Sequence, residues 1–336
     1  ASHGTKLLKA MFGEGKFSFP KSLYATKDVL HVATGSSDDA LVLDYFAGSG
    51  TTGHAVLQLN REDEGTRRFV LVEVGNHFDD VMIARIKKAV YSEKWKDGKP
   101  VNTDTGVSFI GKYLRLESYE DALNNLEVHR TEKQQLLLDA PDAQGKEGLR
   151  EQYIMRYMLD VETRGSNSLL NVQAFSDPDV YKLKVKRPGS DENREINVDL
   201  LETFNWLIGL TVQHIAAPQS FSADSEPDKE KRLRLKGRLK LERNGPYWFR
   251  TVTGTIPDGR RTLVIWRKLT GEPEMDNLVL DEWFTKQGYS AKDSEFDLIY
   301  VNGGNNLDNL RSSDDLWKVR LIEEDFHRLM FETEGE

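Results

Sequence analysis

With 336 residues and a formal net charge of −9, from 46 basic and 55 acidic side chains, the chain is long enough for two domains and too acidic overall for a protein whose main task is gripping DNA. It has no cysteine and seven scattered histidines without a His-x-x-x-His pair, so disulfides, thiolate sites and cysteine nucleophiles are excluded, no metal site is expected, and a cytoplasmic setting fits. No run of eighteen apolar residues and no signal-peptide pattern is visible, so no membrane span is expected.

Ala1-Ser2-His3 reads as an expression remnant and is set outside the fold. Gly13, Gly15 and Pro20 then punctuate an extended start. Ala40 to Asp44 reads as a short buried strand, bounded by the turn-forming cluster Ala47-Gly-Ser-Gly50. A helix follows from Thr52 to Leu59, with Ala55, Val56 and Leu59 on one face, and Arg68 to Glu73 is a second apolar strand. Phe78, Val81, Met82, Ile86 and Ala89 mark an amphipathic helix. Strand, helix, strand, helix is the pattern of a parallel sheet with covering helices, so the fold class expected here is α/β.

Residues 105–148 read as a connector, helical over Glu117 to Leu126 and Thr131 to Leu138, with the breaker-rich Asp139-Ala-Pro-Asp-Ala-Gln-Gly145 as the domain boundary. The expected division is therefore 4–104, 105–148 and 149–333, the last a second α/β domain. Within it Leu149, Tyr153, Ile154, Tyr157, Met158 and Val161 share a helical face. Asp199 with Glu202 forms a capping box opening a helix through Phe204, Leu207 and Ile208. Leu233, Leu235, Leu239 and Leu241 alternate with polar residues as on a half-buried strand, and Asn244-Gly245 signals a hairpin into Tyr247-Trp248-Phe249. Thr262 to Trp266 and Phe296 to Val301 read as buried strands, and Glu323 to Met330 as the last helix.

The richest signal is Asp44-Tyr-Phe-Ala-Gly48-Ser-Gly50-Thr-Thr-Gly53, where a strand enters a glycine turn that opens a helix. Glycines there permit positive φ and close approach of a ligand to the backbone, whose free N–H groups favour an anionic or carbonyl-rich partner. Glu73 ends the next strand about twenty residues on, where doubly wound folds place a carboxylate on ribose hydroxyls. A nucleoside-containing cofactor is the direct reading. Gly48-x-Gly50-x-x-Gly53 also satisfies the dinucleotide fingerprint, so the cofactor stays open on these residues alone; no Gly-Lys-Ser/Thr follows, which excludes a Walker A loop. The plain alternative is that the glycines only make a tight turn.

Asp44 to Thr52 resembles the Asp-x-Phe-x-Gly-x-Gly motif of amino-methyltransferases of the β arrangement, and Phe19-Pro20-Lys21-Ser22-Leu23 resembles the Pro-Lys-x-Leu stretch upstream of it. Gly4-Thr-Lys6, Val70 to Phe78, Lys94 to Pro100, Arg115 to Ala122, Leu159 to Gly165, Ser168 to Asn171, Ile299 to Gly303, Asn305 to Leu307 and Trp317 to Met330 look like the Mod subunit of type III restriction–modification systems. The resemblance implies a Rossmann-like half-domain binding S-adenosylmethionine. Lys21 and Ser22 would lie at the methionine end. Asp44, Phe46, Ala47, Gly48, Gly50 and Thr51 would form the cradle, and Glu73 would take the ribose. It also implies methyl transfer to adenine N6 of a flipped base, a nuclease–helicase (Res) partner subunit, and a homodimer of intact Mod.

The family's Asp/Asn-Pro-Pro-Tyr motif is missing, because no two of the ten prolines are adjacent. Asn244-Gly-Pro-Tyr247 is only an echo, lying after the cofactor motif with Gly in place of one Pro. The expectation is a C-terminal portion without catalytic residues, whose DNA contacts lie mainly in an absent upstream region. Two other readings remain: an assembly module contacting Mod or the nuclease–helicase, and an NAD-binding enzyme. Elsewhere, the basic stretch Lys229 to Arg243 reads first as the solvated face of a strand pair. Asp160, Glu162 and Arg164 read as a helix-end salt-bridge group, and Asn302 to Asn305 as a loop ending a strand.

Overall fold

A computed structural model describes residues 3–35, 37–127, 132–139, 166, 168–169, 171–172, 175–186, 192–292, 295–310 and 317–331. The protein is mixed α/β and divides into two compact units, Ala1–Arg115 and Leu116–Glu336.

The first unit runs α1 (His3–Phe12), α2 (Leu23–Thr34), β1 (Leu41–Asp44), α3 (Thr51–Asp63), β2 (Arg68–Leu71), a π-helical turn (Phe78–Ile83), α4 (Ala84–Tyr91) and a short antiparallel pair, β3 (Trp95–Lys96) and β4 (Lys99–Pro100). β1 and β2 pair in parallel, from Leu41 opposite Arg68 to Asp44 opposite Leu71, and α3 is their crossover. Two expectations need correction. The start is helical: Gly4, Leu8 and Met11 are buried at helical spacing on α1, and Ser22 caps α2, its Oγ accepting from the Ala25 N–H at 3.5 Å. Pro20 precedes that cap and so breaks no helix. The strand at 40–44 is also not buried, for Leu41 and Leu43 are 61% and 52% exposed. Burial alternates along β1 and β2, so Val42, Phe69 and Leu71 turn to one face while Leu41, Leu43 and Val70 turn to the other. On the covered side Phe69 and Leu71 pack against the cluster of Met11, Leu57, Ile86 and Ala89. Parallel strands are usually covered on both faces.

The second unit contains α5 (Tyr119–Asn124), α6 (Glu132–Asp139), β5 (Lys182–Lys186), β6 (Asn193–Asn197), α7 (Leu200–Leu207), β7 (Thr211–Ile215), β8 (Gln219–Pro227), β9 (Leu233–Leu241), β10 (Tyr247–Thr255), β11 (Arg261–Arg267), α8 (Pro273–Lys286), β12 (Leu298–Val301), β13 (Val319–Leu321) and α9 (Ile322–Phe331). Its seven-stranded mixed sheet has the order β13-β12-β11-β10-β8-β9, with β7 also on β10. β11, β12 and β13 are parallel and the remaining pairs antiparallel. The period of two along β11 builds both cores: Val264 and Trp266 meet Phe204 of α7 and Phe326 of α9, whereas Leu263 and Ile265 meet Val279, Leu280 and Trp283 of α8. Asp199 caps α7, its Oδ1 accepting from the Glu202 N–H at 3.0 Å.

The hairpin expected at Asn244-Gly245 does not form. β9 and β10 both pair with β8, on its opposite sides, so the turn carries the chain across β8. Each strand's residues explain its place. β9 is an edge whose charged side chains face water. β10 buries Tyr247, Phe249, Thr251 and Val252 and needs neighbours on both sides. The helical face expected for Leu149 to Val161 and the group Asp160, Glu162 and Arg164 lie outside the described residues. No described helix is long and apolar enough to cross a membrane.

Candidate functional site

Asp44 ends β1, and its carboxylate folds the following loop back on itself. Oδ1 accepts from the Phe46 N–H at 3.1 Å and Oδ2 from the Thr52 hydroxyl at 2.6 Å. The Ala47 N–H donates to the Val72 carbonyl, just past the end of β2, at 3.1 Å, and the Gly50 N–H to the Ala47 carbonyl at 2.7 Å. Gly48 and Gly50 hold φ values of 53° and 74°, a left-handed backbone that disfavours any side chain. At Gly50 a Cβ would also meet Met82 Cγ at 2.9 Å.

Glu73 faces this loop. Its Oε2 accepts from the Gly48 N–H and its Oε1 from the Gly75 N–H, both at 2.7 Å, and His77 Nε2 stands 3.5 Å from Oε2. Burial pushes the Glu73 pKa up, but the N–H groups of Gly75 and Gly48 and the neighbouring His77 outweigh it, leaving the carboxyl below its usual range and ionised at neutral pH. Lys21, Ser22, Asp44 and Thr52 line a cavity of about 410 Å³ with Val29, Leu30, Val42 and Leu43.

The structure thus brings Lys21, Ser22 and Asp44 into one cavity and joins Gly48 to Glu73 by a direct hydrogen bond. Ala47 is buried, and Gly50 and Thr51 open α3. Phe46 is 89% exposed and lies outside the cavity lining. One group beneath the loop went unread in the sequence. Arg85 of α4 is fully buried and donates to the Ser49 hydroxyl at 2.9 Å, the Thr51 hydroxyl at 2.8 Å and the Ser49 carbonyl at 3.3 Å. A signal was available: Arg85 falls four residues after Val81 and four before Ala89, on the helix face that turns inward.

A carboxylate acceptor and a bare glycine backbone at the ends of two parallel strands, with a mainly apolar cavity beside β1 lined in part by Lys21, Ser22 and Asp44, match the donor and acceptor needs of a nucleoside with an amino-acid tail. Residues 15–123 match the family of DNA methylases (N6_N4_Mtase). The chain is similar to the type III restriction–modification enzyme StyLTI Mod subunit of Salmonella typhimurium, 42% identical over 89 residues, covering 26% of this chain and 13% of that protein. It is also similar to the type II methyltransferase M.KpnI of Klebsiella pneumoniae, 41% identical over 73 residues, 22% of this chain and 17% of that one. A longer likeness, 25% identical over 174 residues, joins 51% of the chain to 19% of the probable HindVI Mod subunit of Haemophilus influenzae. The chain thus matches under a fifth of the length of each of these relatives.

The glycine loop and Glu73 both lie inside the stretch that matches this family. Other residues singled out in the sequence have structural work instead. Tyr247 is buried in the core with Phe221 and Phe249, so Asn244-Gly-Pro-Tyr247 has no open ring to stack on a base. Asn302 is buried and locks β11 to the end of β12, with Oδ1 accepting from the Arg267 N–H at 2.7 Å and Nδ2 donating to the Arg267 carbonyl at 2.8 Å.

Proposed function

We propose that this chain is the S-adenosylmethionine-holding, C-terminal portion of a type III Mod DNA adenine-N6 methyltransferase subunit. The observation that carries the reading is the 2.7 Å hydrogen bond from the Gly48 N–H to Glu73, which puts the ribose-type carboxylate and the glycine loop at one end of β1 and β2. The cofactor, when bound, supplies a methyl group on a sulfonium. Glu73, ionised and oriented by Gly48, Gly75 and His77, accepts from ribose hydroxyls. Asp44, Phe46, Ala47, Gly48, Gly50 and Thr51 form the cradle, and Lys21 and Ser22 bind the methionine end. None of these groups moves a proton in the reaction; their contribution is to fix position.

The chain contains no Asp/Asn-Pro-Pro-Tyr motif, so the groups that hold the flipped adenine come from residues outside it, as do the main DNA contacts. The open apolar face of β1 and β2 supports this reading, since a parallel sheet that is complete is covered on both faces. Intact Mod would act as a homodimer with its nuclease–helicase partner, in the cytoplasm. Calorimetric titration of the chain with S-adenosylmethionine tests the cofactor assignment. Saturable binding is expected, weakened at least about tenfold in Glu73→Ala, which loses a charge-assisted pair of hydrogen bonds. A folded sample that takes up NADH but no S-adenosylmethionine would refute it.

A further inference from the structure

Among the described residues Arg85 makes no ion pair. Its Nη1 reaches Ser49 and Thr51, its Nε donates to His54 Nδ1 at 3.3 Å, and its Nη2 is buried with no acceptor. His54 cannot balance the charge, because burial and then the neighbouring Arg85 push its pKa down to about 3 and leave it a neutral acceptor. Burial lowers the Arg85 pKa to about 10, so the guanidinium remains charged at neutral pH. The two acids of the site are turned elsewhere: Asp44 onto Phe46 and Thr52, Glu73 onto Gly48 and Gly75. A buried cation without a carboxylate partner is expensive, and water cannot screen it. Its field emerges at the residues it grips, Ser49 and Thr51, where the first N–H groups of α3 already favour negative charge.

We propose that Arg85 is a positioning residue that sets ligand specificity: through Ser49 and Thr51 its uncompensated charge makes the glycine loop select ligands carrying a free carboxylate over the same nucleoside without one. This rests on the cofactor reading above and adds which part of the molecule is recognised. Arg85 touches no ligand itself.

The test compares S-adenosylmethionine with its decarboxylated form, which keeps the sulfonium, the amine and the nucleoside. Calorimetry on the full chain should show the carboxylated compound bound about tenfold or more tightly, as expected of a charge pair several ångströms apart at intermediate dielectric. Arg85→Met and Arg85→Gln should bring that ratio close to one while leaving affinity for the decarboxylated compound within about twofold, and Arg85→Lys should keep most of the ratio. Equal weakening of both compounds in the neutral variants would assign Arg85 a merely structural role and overturn the proposal. So would a ratio that survives in Arg85→Met and collapses only in Lys21→Met. If the neutral variants do not fold, the wild-type chain and Lys21→Met decide: a wild-type ratio below about threefold, or one that collapses in Lys21→Met, overturns the proposal, and a ratio of about tenfold that persists in Lys21→Met upholds it. Failure of the folded wild type to bind either compound would instead fall on the cofactor reading itself.

Discussion

In the first unit the β1–β2 pair is packed on one face and leaves Leu41 and Leu43 more than half exposed, whereas in the second unit Leu263, Val264, Ile265 and Trp266 of β11 are each 0% exposed. The strand sequences are alike in being short apolar runs. What differs is the number of layers around them: α8 covers one face of the larger sheet and α7 and α9 the other, while the described part of the first unit supplies only one layer. The second unit is a finished core in which Arg267 and Asn302 are tied together by paired hydrogen bonds. The unit with the glycine loop spends its apolar strands on an open face and its polar groups on holding a loop. Burial and candidate function are therefore separated between the units.

The comparison can be broken most forcefully at Trp266. Replacement by Ala should cost about 3–5 kcal/mol, read as a shift in the denaturant midpoint, since a fully buried aromatic leaves a cavity between α7 and the sheet. A smaller loss would mean that the second core can collapse around the gap. Leu263→Ala against Leu43→Ala comes next, with about 2–5 kcal/mol expected for the first and below about 1 kcal/mol for the second. Equal losses would show that the open face of β1 is covered in solution.

Acid should sharpen the contrast. His54 has a folded pKa near 3 against the ordinary imidazole value of 6.5, so the unfolded chain binds the extra proton, and the stability this buried neutral imidazole contributes is present above pH 6.5 and lost as pH falls from there toward 3. The first unit should lose about 2 kcal/mol by pH 5, at 1.36 kcal/mol for each unit of separation, and His54→Gln should flatten the profile. Trp95, the single tryptophan of residues 1–115, reports this unit by its fluorescence. Smallest of all, Lys236→Ser with Lys240→Ser on the β9 edge should change stability by less than about 0.5 kcal/mol yet raise aggregation measured by light scattering, because edge lysines oppose strand addition.

The elements most legible in sequence were those governed by short-range rules. The glycine turn, the carboxylate closing β2, the cap at Asp199 and the buried run of β11 each follow from local geometry or periodicity. Those set by distant partners were hidden. α2 buries only Leu23 of its own residues, so it carries almost no periodic signal. Asn244-Gly245 gives the usual two-residue hairpin pattern, but the order of β8, β9 and β10 is decided by which strand can tolerate an edge, a property of the whole sheet. Arg85 was passed over because an arginine on a helix is ordinarily solvated; only its phase relative to Val81, Met82 and Ala89 marks it as turned inward.

The π-helical turn at Phe78–Ile83 accommodates more residues per turn than the α-helix it leads into. Deleting the exposed Asp80 would let the segment relax to ordinary α-geometry. A π turn takes up its extra residue in nearly the angle that an α-helix covers with one residue fewer, so Glu73 and Gly75 should keep their facing toward the loop with Arg85 still beneath it, whereas a one-residue deletion inside α4 would turn the residues on its two sides about 100° apart. The turn is thus slack in the chain between Glu73 and Arg85, where a residue can be lost without parting the two halves of the cradle.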